Sequence, residues 1–497
     1  MKAPCRNGEL EYVGRIHESL HGFIHLTQVE KELIDCPYLQ RLRQIKQLGL
    51  AHLVFPGGEH TRFSHSLGVM WVIDRISRHL QFDPRTRQVL RLAALLHDVG
   101  HFPLSHTLEA AYEDAEDKVK KTNTGLLVRK HQAAGPGRRK GARLTGKLLP
   151  GGAALHERLS RHVIEETDFP DGVTCILKNH RFIPNEIGSI VVGESNVMLY
   201  NQLMHSDIDA DQMDYLIRDA TCLGIGYGQF AIEYLIECFK TAKIDGQDLL
   251  CIKEKGIHTV DHYLLAKYFY RVQVLYHRTR WIIEEAAQKL YGNLMGSRKA
   301  KPVPGLMYLP DMVQDIMRWA SFDDSWVMGV FRQAEVEKWL AADCACLFDI
   351  VLRRRIPTCV YEKTVNRDKD GPDDVLGACR EQMERSVASN GTGLSATCID
   401  LHHLSRKFTV VKSLAERGYK DEKVALKEDR DIIRILDHET DKPLLIGRDS
   451  ASFAQYLQKI ETHVFRVYTL KPSHQPSSRS HLPVQNRRNR SMRRLLR

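Results

Sequence analysis

Residues 97–106 have the sequence HDVGHFPLSH, and the fold and chemistry predicted for this chain both depend on them. The apolar run LAALL at 92–96 precedes them and predicts the last turns of a buried helix. Gly100 and Pro103 predict that this helix breaks and that the chain turns back. Burying an imidazole beside a carboxylate costs free energy unless something binds them, and a divalent metal ion would do so. The stretch therefore predicts a metal site.

A metal ion needs more ligands than this stretch offers, and two other segments carry metal-type side chains. His65 lies in RFSHSLGV, residues 62–69, at the start of another apolar-periodic helix. Residues 207–219, DIDADQMDYLIRD, lie far downstream and supply several carboxylates. The resulting order along the chain is H…HD…D.

This order resembles that of the HD-domain metal phosphohydrolases, and further motifs resemble the deoxynucleoside triphosphate (dNTP) triphosphohydrolases of that family. The matching motifs, all in family order within residues 12–290, are QLG at 47–49, FPG at 55–57, RFSH at 62–65, residues 97–106, HE at 156–157 and residues 211–219. The resemblance implies a mainly α fold, in which a helical HD phosphohydrolase core is followed by a smaller α+β C-terminal lobe. It also implies hydrolysis of a dNTP to a deoxynucleoside and triphosphate.

By this resemblance four side chains hold one divalent metal ion. They are His65, His97, Asp98 and Asp211. A site with mixed nitrogen and oxygen donors suits Fe, Mn, Zn, Ni or Mg and does not select among them. A single histidine would favour a hydrogen-bonded core residue, but four metal-type residues in family order favour a metal site.

The resemblance also assigns catalytic side chains around the same turn. His106 matches the family's catalytic histidine, and we predict that it donates a proton to the leaving group, because histidine titrates near neutral pH. Glu109, one helical turn later, would orient His106. We expect His101 and His156 to reach the phosphates or the bound water, and Glu157 either to support them or to lie on the surface.

Residues for substrate binding follow from the same resemblance. Arg62 offers a planar fork for a phosphate. Gln47 and Asp219 match residues that contact the sugar 3′-hydroxyl, and Tyr215 matches the residue that lies against the sugar, where it would crowd a 2′-hydroxyl. One helix face can carry both Tyr215 and Asp219, because they are one helical turn apart.

The chain departs from the family pattern at three positions. Gln212 stands where the family has a phosphate-binding lysine, and Phe102 stands where a glycine is expected, which predicts a narrower pocket. Leu275 replaces a tyrosine, although the neighbouring His277 and Arg278 are still predicted to contact phosphate. These changes bear on the dNTP assignment more than on the phosphohydrolase chemistry.

Three residues near the N-terminus match an activator site for a guanine nucleotide in the family. They are Asp35, Gln40 and Arg43. The match implies allosteric activation and a homo-oligomer. The alternative is that Asp35 and Arg43 form a structural ion pair.

The net charge of +10 is concentrated in two segments. Residues 118–156 contain ten Lys or Arg and no acid, and residues 472–497 contain seven Arg and no acid, so the rest of the chain has a net charge of −7. Basic segments of this kind bind nucleic acid non-specifically through phosphate contacts. The alternative is that the insertion at 118–150 and the tail are solvated, variable chain.

The composition indicates where in the cell the protein is located, and the motifs divide the chain into domains. No apolar run is long enough to span a bilayer, and the N-terminus lacks the apolar core of a signal peptide. The eleven cysteines form no zinc-ribbon or disulfide framework, so we expect a cytoplasmic protein, with a nuclear location also allowed. The predicted divisions are an HD phosphohydrolase domain at 1–295, an α+β lobe at 296–471 and a basic disordered tail at 472–497.

Hydrophobic periodicity predicts the elements around these motifs. Helices are expected near 27–46 (with a break or a new helix at Cys36-Pro37), 65–80, 85–97, 103–115, 155–167, 174–180, 195–205, 210–220, 311–320, 327–339, 342–355 and 451–460. A hairpin is expected from 249–252 and 257–260, followed by one long helix from 262 to 291. Short strands are expected at 11–16, 22–26, 408–411, 432–436, 444–446 and 464–468.

Two other functions stay open at this level. One is an HD phosphohydrolase or phosphodiesterase that acts on other nucleotides or on nucleic-acid ends. The other is a nucleic-acid-binding regulatory protein whose metal ion is structural. The intact ligand set together with His106 argues against the regulatory protein, and analysis of the products separates the other phosphohydrolases from dNTP hydrolysis.

Overall fold

The computed structural model describes residues 9–122, 153–297, 309–368, 374–390, 403–440, 442–446 and 452–469. Within these residues the chain is mainly helical with three small sheets, so the predicted mainly α fold with an α+β C-terminal lobe is confirmed. Residues 123–150 of the basic insertion and the whole of the basic tail lie outside the described residues.

The N-terminal part is a β-hairpin followed by helices, most of which the periodicity predicts. The antiparallel strands are β1 Gly14–Glu18 and β2 Gly22–Leu26. The helices are α1 Gln28–Asp35, α2 Pro37–Gln40, α3 Arg62–His79, α4 Pro84–Leu96, α5 His106–Thr122, α6 Leu155–Glu166, α7 Val173–Asn179, α8 Pro184–Val191, α9 Met198–His205, α10 Ala210–Leu223 and α11 Ile232–Glu237. Pro37 begins a new helix, because proline fits the first helical turn but breaks a helix interior.

The segment after α11 differs from the prediction in two ways. The hairpin is formed by β3 Phe239–Ile244 and β4 Gln247–Lys253, and the expected strand at 257–260 is instead the start of helix α12 Ile257–Tyr270. Ile257, Val260 and Leu264 are buried at helical spacing, which the alternating pattern obscured. The predicted single helix over 262–291 is interrupted by a π-helical segment, Arg271–Leu275, before α13 Arg278–Gly296.

The C-terminal part combines helices with two sheets. Its helices are α14 Leu309–Val313, α15 Ile316–Ser321, α16 Asp324–Val336, α17 Ala345–Arg353, α18 Asp374–Asn390, α19 Glu422–Glu428 and α20 Ala454–Lys459. Its strands are β5 Thr358–Asp368, β6 His403–Phe408, β7 Arg434–Leu436, β8 Pro443–Leu445 and β9 Ile460–Thr469. The strand orders are β5-β9-β6 and β3-β4-β7-β8, so the second sheet joins this part to the preceding hairpin. The sequence prediction missed α8, α11, β5, α18 and α19, and its strand at 408–411 overlaps β6 only at Phe408.

The packing of α3 against α4 and α10 brings the predicted site residues together. Asp83 caps α4 by accepting from the backbone N–H groups of Arg85 and Thr86, and Pro84 occupies the first helical position. Asp209 caps α10 in the same way through the N–H of Gln212. These caps fix where two of the three helices begin.

Residues beyond position 295 hold the helical core through buried polar contacts. Arg41 donates from Nε to the carbonyl of Phe322 at 2.7 Å and from Nη2 to the carbonyl of His101 at 2.9 Å. The Asp324 carboxylate accepts from the backbone N–H groups of Leu104 at 2.7 Å and Lys46 at 3.0 Å. The predicted boundary at 295 stays a prediction, but side chains on both sides of it contact one another.

Across the described ranges, every helix is either too short or too polar to cross a lipid bilayer.

Candidate active site

Four side chains from three helices converge at the point where α4 ends. His65 lies in the first turns of α3, His97 and Asp98 follow α4, and Asp211 lies in the first turn of α10. His65 Nε2 lies 2.9 Å from Asp211 Oδ1 and 4.0 Å from Asp98 Oδ2. His97 Nε2 lies 3.6 Å from Asp98 Oδ1 and 4.0 Å from Asp211 Oδ1. The four predicted metal ligands therefore face one another.

The hydrogen bonding of the two His97 ring nitrogens supports a metal ion between these four side chains. Its Nδ1 lies 2.8 Å from the carbonyl of Ala94, to which it can donate, so Nε2 presents a lone pair to the carboxylates. That Nε2 is buried and has no hydrogen-bond partner among the described residues. An unpaired buried nitrogen is costly, and two imidazoles with two carboxylates are a donor set that divalent transition metals accept. The residues present fit a divalent metal ion.

Arg62 lies directly beside this group. Its Nη1 donates to Asp98 Oδ2 at 2.6 Å, and its Nε donates to Ser105 Oγ at 2.9 Å. Burial alone would raise the pKa of Asp98, but Arg62 and the neighbouring imidazoles hold it well below its usual range. Asp98 is therefore a carboxylate at neutral pH, and the guanidinium of Arg62 is already paired on one side.

Three imidazoles and one carboxylate form a second group next to the first. His101, His106, Glu109 and His156 each have a side-chain atom within 4.8 Å of the others. Glu109 Oε2 accepts from His106 Nδ1 at 2.9 Å, and Glu109 Oε1 accepts from His156 Nδ1 at 2.8 Å. The Nε2 atoms of both histidines are thus turned away from Glu109, and the four predicted catalytic residues lie together.

The charges of this second group differ from one residue to the next. Burial would lower the pKa of His156, but Glu109 outweighs it and raises that pKa to about 9, so the imidazole is positive at neutral pH. Burial would raise the pKa of Glu109, whereas His156 and His106 hold it well below the usual range. Burial, followed by the charges of Arg62 and His156, keeps the pKa of His101 well below its usual value, so His101 is neutral.

The turn between the two groups has an unusual backbone. Leu104 and Ser105 adopt φ values of 52° and 54°, in the left-handed region that side chains other than glycine seldom occupy. Helix α5 therefore begins at His106 rather than at the predicted position 103. Asp324 binds the N–H of Leu104, and Ser105 Oγ donates to the carbonyl of Lys46 at 2.7 Å. These contacts hold a strained turn that presents His106, whose side chain is 71% exposed.

A cavity of about 520 Å³ opens onto both groups. Its lining includes Gln47, Leu48, Arg62, Asp98, Leu104, Ser105, His106, Thr107, Ala110, His156, Glu157, Asp211, Tyr215, Asp219, Tyr270, Leu275, Tyr276, Arg280, Glu284 and Gln288. The volume is that of an ordinary small-molecule site. The lining therefore includes two predicted metal ligands (Asp98 and Asp211), two predicted catalytic residues (His106 and His156) and the predicted sugar contacts Gln47, Tyr215 and Asp219. The other predicted metal and catalytic residues, His65, His97, His101 and Glu109, are not among the lining residues.

Two predicted phosphate contacts lie outside that lining. His277 caps α13 and packs edge-on against Phe55, and Arg278 is largely exposed and pairs with Glu362. The neighbouring Tyr276 and Arg280 line the cavity instead. Helix α13 begins at Arg278, so the side chains that face the cavity are displaced by one or two positions from those the sequence suggested.

The departures from the family pattern have local explanations. Phe102 is buried in the core against Tyr112 and is not among the lining residues, so the predicted narrowing by its ring is wrong. The Gln212 side chain donates to the carbonyl of Ser206 and to Asp209, 2.8 and 2.9 Å away. Gln212 therefore serves the start of α10 and supplies no charge to the cavity.

Asp219 is held by two residues that the sequence prediction missed. His60 Nε2 lies 2.7 Å from Asp219 Oδ1, and the Tyr270 hydroxyl donates to Asp219 Oδ2. Tyr270 also packs against the ring of Tyr215. His60 lies five residues before His65, a position that could have drawn attention, whereas nothing in the sequence links Tyr270 to Asp219.

The pairing of His60 with Asp219 predicts a pH dependence of stability. Burial lowers the pKa of His60, but Asp219 outweighs it and raises that pKa to about 9, above the value of 6.5 for an unfolded chain. The stabilisation is therefore fully present below pH 6.5 and is lost as the pH rises through 9, a change of roughly 2–4 kcal/mol. We expect the difference in unfolding free energy between wild type and His60→Gln to shrink as the pH rises from 6.5 to about 9, in urea titrations of the metal-free protein. A difference that is constant from pH 6 to 9.5 would contradict the pairing.

The three residues of the predicted activator site lie at the surface around α1 and α2. Asp35 and Arg43 are exposed. The Arg43 guanidinium lies 3.6 Å from the centre of the Phe63 ring, and its Nε donates to Gln40 Oε1 at 2.9 Å. The structure thus gives Arg43 a ring and an amide as partners, and the activator site stays a prediction.

A family model described as HD domain matches residues 62–219. This range contains all four converging ligands as well as the second histidine group. Residues 62–219 are therefore similar to the HD domain.

Curated relatives of this chain include uncharacterized proteins and proteins named for an activity. The uncharacterized protein YwfO of Bacillus subtilis is 30% identical over 278 residues, which are 54% of this chain and 53% of the relative. The deoxynucleoside triphosphate triphosphohydrolase SAMHD1 of Bos taurus is 29% identical over 252 residues, which are 49% of this chain and 41% of that protein. The chain therefore spans about half the length of the curated relatives that it matches.

Solved structures support the fold of this chain along most of its length. A hypothetical protein from Aquifex aeolicus has a TM-score of 0.60 at 21% identity and covers 92% of this chain and 96% of its own. A phosphohydrolase from Bacteroides thetaiotaomicron has a TM-score of 0.61 at 20% identity and covers 92% of this chain and 100% of its own. At these identities the likeness shows the fold.

Proposed function

We propose that this chain is a metal-dependent phosphohydrolase that converts dNTPs to deoxynucleosides and triphosphate. One observation carries the proposal. A single cavity is lined by the metal-type carboxylates Asp98 and Asp211, by His106 and His156, and by the sugar-contacting candidate Tyr215. Metal binding, proton transfer and sugar recognition therefore have residues within reach of one small ligand.

The proposed metal ligands are His65, His97, Asp98 and Asp211. When bound, the metal ion would lower the pKa of a coordinated water and screen the charge that builds up on the phosphate. The ligand set suits Fe, Mn, Zn, Ni or Mg, and its identity is a matter for metal analysis.

The protein side chains would handle the phosphate and the proton. The positive imidazole of His156 and the guanidinium of Arg62 stabilise negative charge on the phosphates. Glu109 accepts a hydrogen bond from Nδ1–H of His106, so that Nε2–H faces away from Glu109 and is the proton donor. Nε2 protonates the 5′-oxygen as its bond to the α-phosphorus breaks, and the deoxynucleoside leaves. His101, held neutral by burial, can accept a hydrogen bond from the attacking water.

The proposal is tested by incubating metal-loaded protein with a panel of dNTPs, NTPs and nucleoside monophosphates and separating the products by chromatography. Attack at the α-phosphorus predicts intact triphosphate and free deoxynucleoside in equal amounts. Pyrophosphate or single phosphate as the first product would reject this cleavage and leave only the broader phosphohydrolase assignment.

A second candidate is an HD phosphohydrolase that acts on less highly charged nucleotides, such as nucleoside monophosphates. The charges that line the cavity favour it. Among the described lining residues five carry carboxylates and two carry guanidinium groups, and Gln212 supplies no cation where the related enzymes have a lysine. A triphosphate carries more negative charge than a monophosphate, so the cations of this lining would compensate a smaller share of it. Turnover of monophosphates above that of dNTPs would favour this candidate.

Removal of the Tyr215 ring tests the sugar selectivity. If the ring crowds a 2′-hydroxyl, Tyr215→Ala should reduce the preference for dATP over ATP, measured as the ratio of kcat/KM values, by about tenfold or more. Tyr215→Phe should keep the preference, because the ring remains. Tyr227→Ala removes a half-exposed tyrosine outside the cavity lining and is the matched control. A wild-type protein that accepts ATP as readily as dATP would refute this role.

The remaining partners are proposed from the sequence. The basic segments at 118–150 and 472–497 would bind nucleic acid non-specifically, with an affinity that falls steeply with salt. A homo-oligomer, a guanine-nucleotide activator at Asp35, Gln40 and Arg43, and phosphate contacts from His277 and Arg278 are proposed on the family resemblance alone. A cytoplasmic location, with a nuclear one also allowed, is proposed in the same way.

A further inference from the structure

A buried carboxylate lies directly behind His65. His65 Nδ1 lies 2.8 Å from Asp214 Oδ2, on the side of the ring opposite to the metal-type carboxylates. Asp214 is fully buried and lies one helical turn after Asp211 on α10. The ring of His65 is therefore clamped between two acids of the same helix, each of which contacts a different nitrogen.

Asp214 is itself fixed by two further side chains. His21 Nε2 lies 2.6 Å from Asp214 Oδ1, and Arg218 donates to both carboxylate oxygens at 2.7 and 3.1 Å. Arg218 also donates to Glu18 at 2.6 Å, and Glu18 accepts from the backbone N–H of His21 at 3.1 Å. The β1–β2 hairpin, α3 and α10 thus meet in one closed set of contacts, and Asp214 cannot rotate without breaking several of them.

Gly68 makes this arrangement sterically feasible. It lies one turn after His65 on α3, where a Cβ would stand 2.0 Å from Asp214 Oδ1 and 2.3 Å from Arg218 Nη2. No side chain larger than hydrogen fits there without moving the carboxylate. The contact between His65 and Asp214 therefore depends on the close approach of α3 to α10 at this glycine.

We propose that Asp214 is a positioning residue of the metal centre, which fixes the tautomer and orientation of His65 so that Nε2 faces the ion. The inference rests on the metal centre of the proposed function. A histidine that donates from Nδ1 to a carboxylate keeps its Nε2 lone pair for a metal ion and becomes a stronger donor. The contacts of His21, Arg218 and Glu18 hold the carboxylate in the orientation that this requires.

The test measures metal affinity in the full-length protein by competition with a chelator, for Asp214→Asn against wild type. Loss of such a carboxylate typically costs 10- to 100-fold in metal affinity, so we expect a rise in Kd of about that size. The absorption spectrum of the Co²⁺-loaded protein should change as well, because the orientation of a ligand changes. Both readouts are independent of the substrate.

Two further variants keep the test decisive. Gly68→Ala changes neither a ligand nor a charge but displaces Asp214, and it should also weaken Co²⁺ binding. Asp74→Asn removes a different arginine-paired carboxylate, which lies on α3 and contacts Arg78, Arg87 and Arg91, and it should leave the metal Kd unchanged even if it lowers the melting temperature.

The outcomes separate this inference from the function on which it rests. Wild-type metal affinity in both Asp214→Asn and Gly68→Ala would overturn the positioning role, and so would an equal loss in Asp74→Asn. A wild-type protein that binds no divalent metal at all would refute the metal centre of the proposed function instead.

Discussion

The double variant His97→Ala, Asp98→Asn should contain no bound metal and show no measurable turnover. It removes two of the four converging ligands, and the polarisation that a metal ion supplies is worth several kcal/mol, so activity should fall at least about 10³-fold. Asn is chosen at position 98 because Arg62 is buried beside it and would lose its partner to an alanine. Metal analysis of the purified protein and steady-state kinetics provide the measurement.

A matched control exists elsewhere in the chain. His438 and Glu439 form another histidine–acid pair in sequence, and His438 is largely exposed and contacts Glu254. The variant His438→Ala, Glu439→Gln should keep full metal content and activity. Full metal occupancy in the His97→Ala, Asp98→Asn protein would show that these residues do not hold the ion.

Replacement of His106 by Asn should lower kcat by about 10²- to 10⁴-fold while metal content and melting temperature stay unchanged. The imidazole is 71% exposed, so its removal costs little packing. The loss should nearly vanish with a phosphodiester that releases p-nitrophenolate, because this leaving group departs without a proton. An equal loss with both substrates would contradict the role of His106 as a proton donor.

Helix α12 supplies the control for this second variant. His258 lies near the start of that helix and contacts Asp261 three residues later, in the same spacing as His106 and Glu109. His258→Asn should therefore leave kcat unchanged. A comparable loss in both variants would mean that the effect of His106→Asn is not specific to the cavity.

The sequence singled out residues that converge in the structure, because they lie in short motifs whose order is distinctive. Of the five acids between 207 and 219 the family resemblance assigned only Asp211 and Asp219, because the partners of these acids come mostly from distant parts of the chain. The structure gives each acid a different role: Asp207 pairs with Arg417, Asp209 caps α10, Asp211 faces the metal ligands, Asp214 supports His65, and Asp219 binds His60 and Tyr270. Only the cap at Asp209 follows from local spacing alone.

The helices and strands also differ in how far the local sequence predicts them. A helix with one apolar face, such as α6, follows from periodicity. Strand β5 and the pairing of β4 with β3 did not follow from periodicity, because the partner of a strand is a distant or neighbouring segment that the local pattern does not identify. The side chains of α13 that face the cavity were missed for a related reason, since the π-helical segment before it shifts the register.

The anchoring of the strained turn by Asp324 has a consequence for the order of events during synthesis. The carboxylate that holds the N–H of Leu104 comes 220 positions later in the chain. A nascent chain that has reached residue 295 already contains every proposed ligand and proton donor, but the left-handed residues before His106 still lack this anchor, and such conformations cost about 1–3 kcal/mol each. The growing polypeptide therefore contains every residue of the proposed site before it can stabilise their arrangement. The arrangement is complete only when α16 has left the ribosome.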